Sequence, residues 1–170
     1  MCQFKSALCL KDRVFVPDYD SHDQMLEELK IPDDFAHASK VFVRVELSPA
    51  DGDVTSDPMG WRIKIDQDIL PDWFVHKVDE QRVKVAITEW CKVHVLREGE
   101  HEVRDGRWVA CSNSTVTAWG NSTVTARDNS TVTLPKYFYT NKPVEVYDEA
   151  ICIDKAHHKI KSAVRWNQED

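Results

Sequence analysis

Glycine is scarce in this chain, and no contiguous catalytic motif is present. Five glycines in 170 residues leave little material for loops that cradle phosphates, and no stretch reads GxGxxG or GxxxxGK[ST]. GxSxG and HExxH are missing too, so no local signature of a nucleophile elbow or a zinc-protease helix is encoded. No apolar run approaches the ~20 residues of a membrane span. The opening MCQFKSALCLKDRVFV is broken by Lys5, Lys11, Asp12 and Arg13 and lacks the long apolar segment of a secretory signal. These features predict a cytoplasmic protein without a membrane partner. Cys2, Cys9, Cys91, Cys111 and Cys152 are odd in number, widely spaced and free of CxxC. Free thiols are therefore expected, not a disulfide framework or a zinc site. The Asn-Ser-Thr triplets at 113, 121 and 129 are formally glycosylation sequons. In a chain without a secretory signal they read as turn-and-strand chemistry.

What is present is a globular composition with an uneven charge. Hydrophobic residues make up 42%, with six Trp and six Phe, too apolar and aromatic for disorder. Residues 1–104 hold 14 Lys+Arg against 21 Asp+Glu, and residues 105–170 hold 8 of each, so the whole net charge of −7 sits on the first part. An acidic head repels phosphates, which disfavours direct nucleic-acid binding, and it suits a basic protein surface.

The head, residues 1–104, reads as α+β. Val14-Phe15-Val16 is a short strand ended by Pro17. Ser21 followed three residues later by Gln24 is a capping box, so a helix with Met25, Leu26 and Leu29 on its apolar face starts there and ends at Pro32. KVFVRVEL alternates as a half-buried strand, and Trp61, Ile63 and Ile65 mark another. Between Asp79 and Leu96, Val83, Ile87, Trp90 and His94 fit a helix face, although Val83, Val85 and Ile87 also alternate. The length favours helix.

From Asn113 the chain repeats itself: NSTVTAWG, NSTVTARD, NSTVTLPK. The register extends back to DGRWVACS from Asp105. It extends forward past an insertion, YFYT, to NKPVEVYD from Asn141. EAICIDKA reads as one more worn copy, slipped by one residue. The repeat region is thus residues 105–148, with 149–170 as a C-terminal cap or tail. Alternation puts Val116, Val124 and Val132 inward as a stacked core. It puts Thr115, Thr117, Thr123, Thr125 and Trp119 outward as a binding or oligomer surface. Asn113, Asn121 and Asn129 are expected at left-handed corners. Two octads make a sixteen-residue coil of a two-sided β-solenoid. An antiparallel β-meander is the other arrangement this spacing allows, and wrapping of several chains into a fibre a third.

Phrases like VFVRVEL, GDV, WRIKIDQD and LPDWF followed by NSTVxA octads resemble an uncharacterised group of phage- and gut-bacterium-encoded proteins. The resemblance runs from about Lys11 to Leu134. It implies a mobile-element origin, and by analogy a small acidic protein that inhibits a host defence protein. The residues themselves support a non-enzymatic binding protein that forms a homo-oligomer and uses no cofactor. Two other classes fit less of the chain: a small metal-dependent hydrolase or nuclease, and a fibre or virion accessory protein. For the enzyme, the weak catalytic candidates are Asp66 and Asp68, spaced to share a face at a strand end, and His76. His157 and His158 are the weak metal candidates, beside Asp154 and Cys152, although adjacent positions do not converge on one ion.

Overall fold

The computed structural model describes residues 4–50, 52–135 and 144–162. They divide into two compact units between Cys91 and Lys92.

In the first unit, β1 (Lys5–Leu10), β2 (Val14–Phe15), β3 (Phe42–Ser48) and β4 (Arg62–Ile65) form an antiparallel sheet in the order β2-β1-β3-β4. Helix α1 (His22–Glu28) starts as its capping pair predicts, with the Ser21 side chain accepting the Gln24 amide at 3.3 Å. A short helix, α2 (Phe35–Ala38), is capped in the same way by Asp34. Met25 and Leu26 bury against Leu8, Leu10 and Phe42 on one face of the sheet. Ala7, Cys9, Val43 and Val45 on the alternate positions are equally sealed from solvent. The KVFVRVEL strand, read as half-buried, is therefore buried on both faces, because Phe42 supplies the second apolar face that its valines lack.

The ambiguous stretch is the helix α3 (His76–His94). Val83, Ile87 and Trp90 bury, while Val78 and Val85 stay exposed. Its first turn is fastened by the Asp79 carboxylate, which accepts the Val75 amide at 2.7 Å. Strand β1 has no clear sequence signature, because Lys5 and Ser6 interrupt its apolar pattern and are nevertheless buried. The Lys5 ammonium donates to Tyr19 O and to Asp20 Oδ1, each at 2.8 Å, and lies 5.1 Å from the centre of the Trp90 ring. A buried ammonium is tolerated only with such partners.

The second unit is a β-solenoid of about three turns over residues 95–154. It contains β5 (Val95–Arg104), β6 (Arg107–Trp119), β7 (Thr123–Ala126), β8 (Thr131–Leu134), β9 (Glu145–Val146), β10 (Ile151–Asp154) and β11 (Lys159–Ser162). Among these, β5 to β10 pair in parallel, and only β11 turns back against β10. The meander is thus not adopted. Alternate octads pair, Trp108 with Val124 and Val116 with Val132, each sixteen residues apart. The next rung lies twenty residues on, Ala126 with Val146 and Val132 with Cys152. The extra four match the length of YFYT, which lies outside the described residues. EAICIDKA is not slipped: Cys152 takes the slot of Val132, and Ala150 the slot of the repeat serine. Residues 151–154, expected in the cap, are a rung of the stack. Residues 95–104, expected in the head, are another, paired with β6 across a bulge between Leu96 and Glu98.

The corners also differ from expectation. The left-handed residue is not Asn but the one before it: Ser112 at φ 53°, Gly120 at 60° and Asp128 at 52°, with Asp148 at 55° in the matching slot. Aspartate suits that slot for a second reason. Asp128 Oδ2 accepts the Ser112 amide at 2.8 Å and Asp148 Oδ2 accepts the Asp128 amide at 3.4 Å, so each corner carboxylate ties its own turn to a neighbouring one.

Inside, Val116, Val124 and Val132 are fully buried. They do not form one column, however. Val132 lies between Val116 and Cys152, whereas Val124 lies beside Trp108 in a separate ladder. Trp108 is held by its indole N–H, which donates to Asp105 O at 2.6 Å, and by His94, whose ring lies 4.6 Å away.

Candidate interaction surfaces

Register decides which outward side chains share a face. Thr115 and Thr117 of β6 pair with Thr131 and Thr133 of β8, and these with Ile151 and Ile153 of β10. Above them stand Glu100 and Glu102 of β5, and below them Ser162 and Ile160 of β11. Two straight columns result, one running Glu100, Thr115, Thr131, Ile151, Ser162. In a parallel sheet the rungs are about 4.8 Å apart, so each column presents its side chains at one fixed spacing, with Thr over Thr at its centre. Thr115 and Ile151 are exposed, and Ile160 is 60% exposed. Trp119 pairs with Arg104 at the end of β6 and is half-buried.

The sequence grouped Thr123 and Thr125 with this set, and the register separates them. Both belong to the other ladder, beside Arg107 and Val109, and Thr125 is buried at 7% exposure. Its hydroxyl lies 3.5 Å from Glu145 Oε2. Thr131, Thr133, Ile151 and Ile153 take their place. They were missed because alternation within one octad says nothing about which octad lies next in space. The sixteen-residue offset was the signal that finds them.

The chemical candidates scatter. Glu46 and then Asp66 each accept a bond from the Lys64 ammonium at 3.3 Å, which raises the lysine pKa. His22 Nδ1 stands 3.9 Å from Asp66 Oδ2. Asp68 is exposed. His76 pairs with Glu80 at 3.2 Å on the first turn of α3. His157 is a turn residue: Asp154 Oδ1 accepts the Ala156 and His157 amides at 3.0 Å, and Asp154 Oδ2 lies 2.8 Å from His157 Nδ1. Burial would raise the Asp154 carboxyl, but those bonds from His157 outweigh it and hold it below its ordinary value. His158 occupies the left-handed position of the same turn, at φ 54°. Among the described residues no group of three or more His, Cys, Asp or Glu is placed to hold a metal ion. Cys9, Cys91, Cys111 and Cys152 are buried and not disulfide-bonded, and Cys2 lies outside the described residues. No described helix is long and apolar enough to cross a membrane. No family model, curated protein or solved structure matches the chain.

Proposed function

We propose a non-enzymatic binding protein, in which a two-sided β-solenoid serves as scaffold and self-association element and the acidic head meets a protein partner. The observation that carries this reading is the outward face built on Thr115, Thr117, Thr131 and Thr133, with Ile151 and Ile153 below them. Side chains fixed in straight columns on a regular ladder form a surface suited to contact. Two-sidedness is supported by the course of β6. Its residues 107–110 pair in one ladder and 115–117 in another, with left-handed Ser112 between them.

A closed oligomer fits better than a fibre. The terminal strand β5 exposes Glu98, Glu100 and Glu102 and carries the bulge, and the terminal strand β11 carries Lys159 and Lys161. Charge and bulges at sheet edges oppose strand addition. A two-fold dimer with half-buried Trp119 near the contact is the simplest such assembly. The mobile-element origin and the inhibition of a host protein rest on the resemblance of the octads and head phrases, and a phage-encoded chain of this kind would act in the host cytoplasm.

Sedimentation at roughly tens of micromolar protein, where a micromolar Kd populates the associated state, tests the proposal. The wild type should associate and Trp119→Lys should not. A monomeric wild type, or a variant that associates unchanged, would overturn the self-association reading.

A further inference from the structure

The head carries a second surface that the repeat does not explain. Phe35 on α2 is 71% exposed, and Ile69 and Val75 expose 37% and 55%. Exposed apolar surface rimmed by polar residues marks an interaction site. Hydrogen bonds bring these residues onto adjoining segments. The Gln67 side-chain amide donates to Ala38 O at the end of α2, to Phe42 O and to Ile69 O, and its oxygen accepts the Arg44 amide. Trp73 Nε1 donates to Lys40 O at 2.6 Å, so the loop from 67 to 73 is fastened beside α2. Trp73, Phe74 and His76 then continue edge to face, with ring centres 6.1 and 5.3 Å apart. The apolar groups are thus presented by a fixed frame, which lowers the entropy lost on binding.

Carboxylates accompany the apolar groups on both segments. Asp33 and Asp34 precede Phe35, and Asp68 and Asp72 flank Ile69, all of them exposed. Asp33 is paired with the Arg44 guanidinium, so Asp68 and Asp72 supply most of the negative charge a partner would meet. Asp34 is bonded to His37, through the imidazole at 2.7 Å and the amide at 2.9 Å, which holds its carboxyl below the ordinary value. Apolar centre and acidic rim together define what fits: apolar anchors in the middle, positive charge around them.

We infer that the surface formed by α2 and the loop from Gln67 to Val75 docks a basic protein segment in which apolar anchors are flanked by Lys or Arg. This rests on the binding-protein reading and names the head's contact surface and the chemistry of its partner. A membrane or nucleic acid presents negative charge and is repelled by the same rim.

The probe is a short synthetic peptide with a leucine pair flanked by lysines. Its Glu-for-Lys counterpart and an all-lysine peptide serve as controls. Binding is read by fluorescence anisotropy against the full chain. The wild type should prefer the Lys–Leu peptide to the all-lysine peptide by about tenfold. Phe35→Ser should lose about tenfold, as truncating a contact hot spot does. The double variant Asp68→Asn/Asp72→Asn should weaken binding and flatten its salt dependence. Glu100→Gln/Glu102→Gln, an equal charge change on β5, should leave it unaltered. Equal binding of the Lys–Leu and all-lysine peptides, equal loss in the β5 variant, or no binding at all overturns the inference. Sedimentation of the same proteins separates the two ideas. Phe35→Ser leaves association through the repeat untouched, so a failed peptide assay beside wild-type association rejects this surface alone.

Discussion

Asp105 lays its carboxylate over the corner of the following turn, where Oδ1 accepts the Asn121 amide at 2.7 Å and lies 2.6 Å from the place a Gly120 Cβ would occupy. Gly120 is at φ 60°, a conformation that costs a side chain roughly 1–2 kcal/mol. The Asp105 side chain is flexible enough to move aside, but moving forfeits its bond to Asn121. Gly120→Ala should therefore destabilise the chain by about 2–3 kcal/mol, the strain plus one hydrogen bond. In an Asp105→Ala background the same substitution should cost only the strain. Denaturant midpoints of the four proteins in this cycle check the coupling, and strictly additive losses would refute it.

Val124 has no exposed surface and lies in the solenoid interior. Val124→Asp should cost about 3–5 kcal/mol, because a carboxylate there has neither water nor partner. Thr115→Lys, on the exposed outward face beside Glu100, should fall within about 0.5 kcal/mol of the parent. Thermal melts of both variants distinguish inward from outward columns.

The repeat serines occupy equivalent slots but differ in their bonding. Ser130 Oγ donates to Ala110 O at 3.2 Å, whereas Ser114 and Ser122 have buried hydroxyls with no partner among the described residues. Removing a satisfied hydroxyl costs about 1 kcal/mol, while removing an unsatisfied one relieves a desolvation penalty. Ser130→Ala should lower stability by about that amount, and Ser122→Ala should leave it equal or higher. Equal losses at the two sites would mean that the Ser122 hydroxyl has found a partner.

Burial pushes the Cys9 and Cys152 thiols up from 9.0 to about 11, at Cys9 with help from the Asp79 carboxylate. Neither thiol should be alkylated at neutral pH until the chain unfolds. The sign of the linkage follows from the raised values. Below pH 9.0 both states keep the proton and the full stability is present. As pH rises from 9.0 towards about 11 the unfolded chain loses its protons first, and that stability is lost. Denaturation midpoints should fall across this window, and Cys152→Ala should make the fall shallower.

Much of the architecture was written locally. The octad period, the capping box at Ser21 and Gln24, and the apolar face of Val83, Ile87 and Trp90 each need only neighbours in sequence. Such signals arise because backbone geometry sets periods of two or 3.6 and caps need nearby donors. Strand β1 was not legible, since a buried Lys5 is explained only by Asp20 and Trp90. Nor was β5, whose acidic REGEHEVR carries no apolar alternation and becomes a strand through pairing with β6.

The sequence by itself determined that this chain repeats every eight residues, each octad carrying a short strand with its Val inward. It determined as well that the head is acidic and mixed in structure. Tertiary structure decided that alternate octads pair, so that Thr117 meets Thr133 and Thr125 is buried elsewhere. It also decided that the left-handed corner falls on Ser112, Gly120 and Asp128 and not on the asparagines. The physical reason is the same in both cases. Alternation fixes only the face on which a side chain stands, whereas its neighbours on that face, and the donor a corner carboxylate can reach, are set by which strand closes the next backbone ladder.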